Sequence, residues 1–171
     1  MDALNCLFTR RSVRTFTPEP VSMDVIQELI RSAMYAPSAG NQQPWHFVVI
    51  TNREDLNFIA QSHPYAGMCR QAAGALLICG EPGIAKHGDM WIQDCAAATE
   101  NFLLALHAKG LGGVYVGVFP REERMKPLAM HFGLPGSIVP FSLVPFGLPA
   151  EMPEQPDRFK AERIHVDHWQ R

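Results

Sequence analysis

Apolar residues recur along this chain with two kinds of spacing, which predict helices in some segments and strands in others. The clearest helical spacing begins after Ser22, a residue that caps helices well, and ends at Pro37, which stops them. The apolar positions of this helix are Val25, Ile26, Leu29, Ile30, Ala33 and Met34. A longer helical pattern covers residues 89–109 and is closed by Gly110.

Four short apolar runs have the composition of buried strands. They are residues 45–50 (WHFVVI), 75–79 (ALLIC), 114–119 (VYVGVF) and 138–146 (IVPFSLVPF). Thr51 or Asn52 can cap a short helix after the first run, and Pro127 must begin or interrupt a helix before the last. Helices and strands are therefore interleaved without an internal repeat, which predicts a single mixed α and β domain over residues 1–171.

Composition narrows the class of partner. The chain has 171 residues, of which 47% are hydrophobic and 19% are charged, and this suits one compact domain better than two. Its formal net charge of -2 lacks the excess of positive charge that binding to nucleic acid or to an anionic membrane requires. We therefore expect small molecules or another protein as partners, and neither nucleic acid nor membrane.

The N-terminal segment and the cysteines indicate a cytoplasmic protein. No apolar run approaches the ~20 residues of a membrane-spanning helix, and in MDALNCLFTRR the positive charges follow the apolar residues, unlike those of a signal peptide. The four cysteines are Cys6, Cys69, Cys79 and Cys95. Because they form no CxxC motif, we expect buried free thiols and neither disulfides nor a zinc site.

The histidines give little sign of a metal site or a catalytic base. His165 and His168 would share one face of a helix, but no third ligand has a suitable spacing. His46 lies in the first predicted strand, where a core or interface histidine is more common than a catalytic one. Because GxSxG and HExxH motifs are absent as well, neither a metal nor a catalytic side chain is predicted.

The last segment, residues 150–171, differs from the rest of the chain. It is polar and rich in proline, yet it carries the apolar side chains of Phe159, Ile164, Val166 and Trp169. A small domain has few uncovered faces, so docking of this tail onto a second subunit is favoured, although its own subunit could also receive it.

Two polar segments are candidates for ligand binding. In residues 10–14 (RRSVR), three guanidinium groups can donate paired hydrogen bonds to a phosphate. If the segment is extended, Arg10, Ser12 and Arg14 share one side, although a solvated basic turn would have the same composition. Residues 37–44 (PSAGNQQP) carry more hydrogen-bonding groups than a helix exit needs, which suits contact with a planar polar ring or an elaborate helix cap.

Together with two later stretches, these segments resemble the FMN-dependent nitroreductase family. The resemblance rests on RRSVRTF, SMDVIQELIRSAMYAPSAGNQQPWHFVVI, WIQDCAAATENFLLALHAKGLGGVYVG and VPFGLP, which follow the family order over nearly the whole chain. It implies an α+β, nitroreductase-like fold with a central, mainly antiparallel sheet flanked by helices. It also implies a homodimer with exchanged C-terminal tails and FMN at the interface.

The same resemblance implies which residues bind FMN. The matching positions are Arg10, Arg11, Ser12, Arg14, Pro37, Ser38, Ala39, Asn41, Val116, Gly117 and Arg158. Residues 10–14 match the first FMN segment, and residues 37–41 match a loop that reaches FMN from the partner subunit. The pair Val116–Gly117 matches the place where backbone groups approach the reactive flavin nitrogen. Arg158 matches a late phosphate ligand, a role that Lys160 could also fill.

The activity implied by the resemblance is NAD(P)H-dependent reduction of nitroaromatics, quinones or related acceptors by a ping-pong mechanism. FMN carries the chemistry, and a cation such as Arg14 near the pyrimidine end of the ring would stabilise its negative charge after reduction. The alternatives are a flavin-binding module without turnover and a flavin destructase or dehalogenase. No flavin contact is assigned to residues 63–74, where longer members of the family carry additional polar residues.

Overall fold

Five α-helices and one sheet are found in the computed structural model, which describes residues 2–169. The helices are α1 (Ala3–Thr9), α2 (Met23–Met34), α3 (Arg53–Ser62), α4 (Met90–Ala108) and α5 (Glu122–His131). The strands are β1 (Trp45–Ile50), β2 (Gly74–Gly80), β3 (Gly112–Gly113), β4 (Val116–Gly117) and β5 (Val139–Gly147). Short 3-10 turns cover Ala39–Asn41, Gly67–Arg70, Pro82–Ile84 and Ala161–Arg163.

The sheet is built around β5, which pairs antiparallel with β2 along one edge and with β3 and β4 along the other. Strand β1 extends the sheet beyond β2, again in an antiparallel direction. Because β2 and nearly all of β5 are buried on both faces, their sequences are continuous apolar runs without alternation. The expected α+β fold, with an antiparallel sheet flanked by helices, is confirmed.

Helices cover both faces of this sheet. On one face, α2 and α4 pack with Leu76 and Ile78 of β2, whereas on the other face α3 and α5 pack with Leu77. Successive residues of a strand point to opposite faces, so β2 supplies side chains to both cores. Ser22 caps α2 as predicted, and Asn52, not Thr51, caps α3 by accepting a hydrogen bond from the Glu54 amide at 2.8 Å.

The segment predicted as one strand over residues 114–119 is divided in the structure. Only Val116–Gly117 pairs with β5 as β4, and Gly112–Gly113 forms β3 before it. The Val114 amide still donates to the Pro145 carbonyl, at 3.4 Å. Because Pro145 has no N–H to donate in return, the ladder at this point is incomplete and the strand is interrupted.

Pro127 lies within α5 and neither begins nor interrupts it, contrary to the prediction. Proline cannot donate the hydrogen bond that an N–H at this position would make along the helix. The next residue, Leu128, is only 1% exposed and packs in the core beneath α3 and α5. Burial of Leu128 therefore offsets the missing hydrogen bond and keeps the helix continuous.

The two ends of the chain leave apolar side chains uncovered. Leu4, Leu7 and Phe8 of α1 are exposed, and in the C-terminal segment Phe159 and Trp169 are 75% and 80% exposed. The final two residues of the predicted tail, 170 and 171, lie outside the described part of the chain. Within residues 2–169, no helix combines the length and the apolar character needed to cross a membrane.

Candidate functional site

An extended segment between α1 and α2 brings the arginine cluster to the edge of the sheet. Ser12 forms a parallel bridge with Gly113 of β3, which anchors the segment. Arg11 and Val13 are buried, whereas Ser12 is half-buried and Arg14 is exposed. The structure therefore agrees with the alternation expected of an extended strand in this segment, and it directs Arg14 outward.

Arg14 reaches a cleft of about 630 Å³ beside β4. A cleft of this size is within the range of small-molecule sites. Among the residues predicted to bind FMN, Arg14, Val116 and Gly117 come together here although they are distant in sequence. The complete lining is Arg14, Pro64, Tyr65, Gly67, Met68, Val114, Tyr115, Val116 and Gly117.

Gly117 keeps one wall of this cleft open. A Cβ atom built on Gly117 would meet no heavy atom within 4 Å, so any side chain there would extend into free space. A planar ring can therefore approach the Val116–Gly117 backbone closely. Because Arg14 supplies a positive charge to the same cleft, the residues present fit FMN in both shape and charge.

Two side chains that do not line the cleft bond to Gly117 from behind. His63 Nε2 lies 3.2 Å and Arg124 Nη1 lies 2.9 Å from the Gly117 carbonyl oxygen. Burial lowers the pKa of His63 below its ordinary value, a shift that the bond to Gly117 opposes and the charge of Arg124 increases. No flavin contact could be assigned to residues 63–74 from the sequence, and the structure places Tyr65 and other residues of this segment in the lining of the cleft. The sequence feature that could have drawn attention to this loop is the pair His63–Pro64 directly after α3.

Arg11 and Arg158 line a second cavity, of about 610 Å³, between α1 and the C-terminal segment. Arg11 Nε donates a hydrogen bond to the Glu154 carbonyl at 3.2 Å, which ties the two segments together. Arg10 instead turns toward α4, where its Nε lies 3.2 Å from Glu100 Oε1. The two arginines at positions 10 and 11 therefore have different surroundings, and Arg11 is the one that shares a cavity with Arg158.

The polar loop after α2 is fastened to α4 and does not enter the cleft of its own chain. The Ala39 amide donates to Asp94 Oδ1 at 3.0 Å, and Gln43 Nε2 donates to Asn41 Oδ1 at 2.9 Å. The backbone is left-handed at three positions, with φ of 57°, 54° and 50° at Gly40, Asn41 and Gln43. Such strain is commonly retained at functional sites. Contact of Pro37, Ser38, Ala39 and Asn41 with FMN of a partner subunit stays a prediction.

The described cysteines and histidines were the remaining candidates for a metal site or a reactive side chain. Within residues 2–169, no group of three or more His, Cys, Asp or Glu side chains is placed to hold a metal ion. The expected buried free thiols are confirmed, and burial raises the pKa of Cys69, Cys79 and Cys95 to about 12. These thiols stay protonated at neutral pH. His46, expected in a core or an interface, is half exposed and pairs with Glu81 Oε2 at 2.8 Å.

Comparison with known proteins identifies the class to which this fold and cleft belong. Residues 7–73 and 83–148 match the model of the nitroreductase family. The chain therefore belongs to the nitroreductase family, as the sequence motifs indicated.

Individual relatives extend over almost the whole chain. A protein of Archaeoglobus fulgidus, provisionally named NADH dehydrogenase/NAD(P)H nitroreductase, is 44% identical and covers 98% of this chain and 99% of its own length. A crystal structure from Bacteroides thetaiotaomicron with the same provisional name is 36% identical, with a TM-score of 0.93 over 98% of each chain. A provisionally named nitroreductase of Desulfovibrio desulfuricans, crystallised in complex with FMN, is 26% identical, with a TM-score of 0.84 over 99% of each chain.

Proposed function

We propose that this protein is an FMN-dependent NAD(P)H oxidoreductase that reduces nitroaromatics, quinones or related acceptors. The observation that carries the proposal is the cleft beside β4, which brings together Arg14, Val116 and Gly117. Membership of the nitroreductase family and the FMN complex of the Desulfovibrio relative support the cofactor. The name of the Archaeoglobus relative supports NADH or NADPH as the electron donor.

The chain contributes binding and orientation to this reaction. Bound FMN would take electrons from NAD(P)H and deliver them to the acceptor, which is chemistry that no amino-acid side chain supplies. Gly117 leaves room for the ring beside the β4 backbone, and Arg14 stabilises negative charge that develops in the cleft. Because the cleft is open, donor and acceptor can occupy it in turn, which is the order of a ping-pong mechanism.

The other candidates are proposed to bind the remainder of FMN. Arg10, Arg11 and Ser12 lie on the segment that leads to Arg14. Arg158 is the proposed late phosphate ligand. It lines a cavity with the buried Arg11, whereas Lys160 does not, and this favours Arg158 over Lys160.

We also propose a cytoplasmic homodimer in which residues 150–171 dock on the partner subunit. Exposed apolar side chains on a tail and on α1 are costly in water, and burial against a second copy would cover them. A groove of about 810 Å³ between α1, α2 and α4 offers a partly apolar surface, with Leu7, Tyr35 and Leu104 in its lining beside charged residues such as Glu28 and Arg31. In such a dimer, the loop containing Pro37, Ser38, Ala39 and Asn41 would reach FMN of the partner.

A turnover assay tests the proposed function. The purified protein is saturated with FMN and supplied with NADH or NADPH, with and without a nitroaromatic or a quinone. Steady nucleotide oxidation that requires both FMN and an acceptor is the expected result. Tight FMN binding without oxidation of either nucleotide would instead identify a flavin-binding module. Breakdown of the flavin ring, or halide release from a halogenated aromatic, would indicate a destructase or a dehalogenase.

A further inference from the structure

The carbonyl group of Gly117 is held from two directions by side chains of different elements. His63, at the end of α3, lies 3.2 Å from this oxygen through Nε2, and Arg124, in α5, donates to it from Nη1 at 2.9 Å. Glycine adopts many backbone conformations, and β4 contains only Val116 and Gly117. The amide on the other side of the same peptide, Val118 N–H, donates to the Phe141 carbonyl at 3.2 Å. One backbone bond and the two side-chain donors therefore set the plane of this peptide together.

The hydrogen bonds around His63 define its tautomer. The Tyr65 amide donates to His63 Nδ1 at 3.2 Å, so Nδ1 must present a lone pair. The proton of the neutral ring therefore resides on Nε2 and is donated to Gly117. Because His63 is only 2% exposed, water cannot readily replace either bond.

Arg124 is itself held in place. Its guanidinium carbon lies 5.2 Å from the centre of the Tyr65 ring, at the distance of a cation–π contact. Tyr65 in turn lines the cleft that contains Arg14 and Gly117. Neither His63 nor Arg124 lines this cleft, so both act on it through the backbone of Gly117 and the ring of Tyr65.

We propose that His63 and Arg124 are positioning residues of the flavin cleft, which fix the Gly117 peptide at the orientation that the bound ring requires. This role rests on the proposed function. It extends the site to two side chains that lie outside the lining of the cleft. Loss of either donor leaves the peptide held by the Val118–Phe141 backbone bond and the one remaining side chain. The peptide then occupies a wider range of orientations, so the ring is bound in a range of geometries and its reduction slows.

Two pairs of variants isolate this role. His63→Leu removes both hydrogen bonds at similar size, whereas His63→Gln keeps an amide N–H at about the same reach from the backbone. Arg124→Met removes the donor and the charge, and Lys126→Met removes a charge from the same helix at a residue that pairs with the exposed Glu122. The measurements are FMN content, visible circular dichroism of bound FMN, melting temperature and the anaerobic rate of flavin reduction by NADH or NADPH.

The expected result separates geometry from stability. His63→Leu and Arg124→Met should change the circular dichroism of bound FMN and slow its reduction about tenfold, as expected for one lost hydrogen bond. His63→Gln and Lys126→Met should stay within about threefold of the wild type. In the apoprotein, nitrogen NMR should show the ring proton of His63 on Nε2.

Several outcomes would overturn the inference. Unchanged dichroism and reduction rate in His63→Leu and Arg124→Met would exclude a positioning role. Equal losses in His63→Leu and His63→Gln, in step with melting temperature, would leave only a structural role. A proton on Nδ1 would contradict the bonding pattern itself, whatever the protein's activity. If the wild-type protein bound no FMN, both the proposed function and this role would be overturned. The NMR measurement is separate, because it tests the hydrogen bonds of His63 in the apoprotein whether or not FMN binds.

Discussion

Gly117 and Arg14 contribute to the cleft in different ways, one by shape and the other by charge. Gly117 leaves space that any side chain would fill, and Arg14 is the cation in the lining of the cleft. Both residue types were recognisable in the sequence because they lie in family motifs. Their convergence was not, because the spacing along a chain does not determine which loops meet in space. Tyr65 and His63 were missed for the same reason.

Gly117→Val should reduce FMN affinity at least tenfold, which is about 1.4 kcal/mol, because the new side chain occupies the ring's space. The melting temperature of the apoprotein should change little, since no atom lies within 4 Å of the added Cβ. Gly136→Val is the matched control, because its Cβ also meets nothing within 4 Å and it does not line the cleft. Equal FMN affinity in both variants would place the ring elsewhere.

Arg14→Met should lower the two-electron reduction potential of bound FMN, because removal of a nearby cation disfavours the more negative, reduced ring. A shift of about 30 mV corresponds to about 1.4 kcal/mol for a two-electron couple. Spectroelectrochemistry of FMN-saturated protein measures it, with Arg70→Met as the control, since Arg70 is exposed and outside the cleft. Weaker binding at an unchanged potential would place Arg14 at the phosphate.

Elements were predictable where local sequence and packing agree. The helix after Ser22 and the strand at 45–50 were expected correctly, because part of each apolar pattern is buried: Ile26, Leu29 and Ala33 in the helix, and Trp45 and Ile50 in the strand. Prediction was wrong where the tertiary surroundings of a residue decide. Pro145 interrupts the strand expected over 114–119, and burial of Leu128 keeps α5 continuous through Pro127. Neither effect is visible from local sequence.

His63, in the loop after α3, is expected to make the folding stability of the protein depend on pH. Burial lowers the pKa of His63 in the folded state below its ordinary value of 6.5. At a pH below 6.5 the unfolded chain therefore binds more protons than the folded chain, and the folding stability decreases as the pH decreases. Burial, together with Arg10 and Arg11, lowers the pKa of His107 and adds in the same direction.

The melting temperature of the apoprotein should therefore decrease from about pH 7.5 to about pH 5.5. His63→Gln should decrease less over this range, because the substituted side chain does not titrate, and calorimetry compares the two proteins. The same slope in both would show that His63 is not held neutral in the folded state.

At the scale of the whole molecule, the C-terminal segment is the part that a single chain explains least. Its backbone is tied down near Arg11, but beyond Pro156 its apolar side chains are exposed. The sequence indicated a tail that docks, because apolar anchors in a polar segment require a surface. It could not indicate which surface, since that depends on how two subunits meet.

Deletion of residues 150–171 should convert the proposed dimer into a monomer and weaken FMN binding, because the deletion removes the apolar anchors and Arg158 together. Light scattering should then give a mass near that of one chain, which is 19.1 kDa for the full length. Arg158→Ala, which should weaken FMN binding but leave the dimer intact, separates the charge from the docking. A truncated protein that remained dimeric with full FMN content would exclude this role of the tail.

The proposed function requires that the cleft beside β4 bind FMN and that a nicotinamide nucleotide reduce it there. Its most direct test is an anaerobic titration of the FMN-reconstituted protein with NADH and, separately, with NADPH, followed by the visible absorption of the bound flavin. We expect FMN to remain bound through gel filtration and at least one nucleotide to bleach its absorption band. Failure to retain FMN, or a bound band that neither nucleotide changes, would contradict the proposed function.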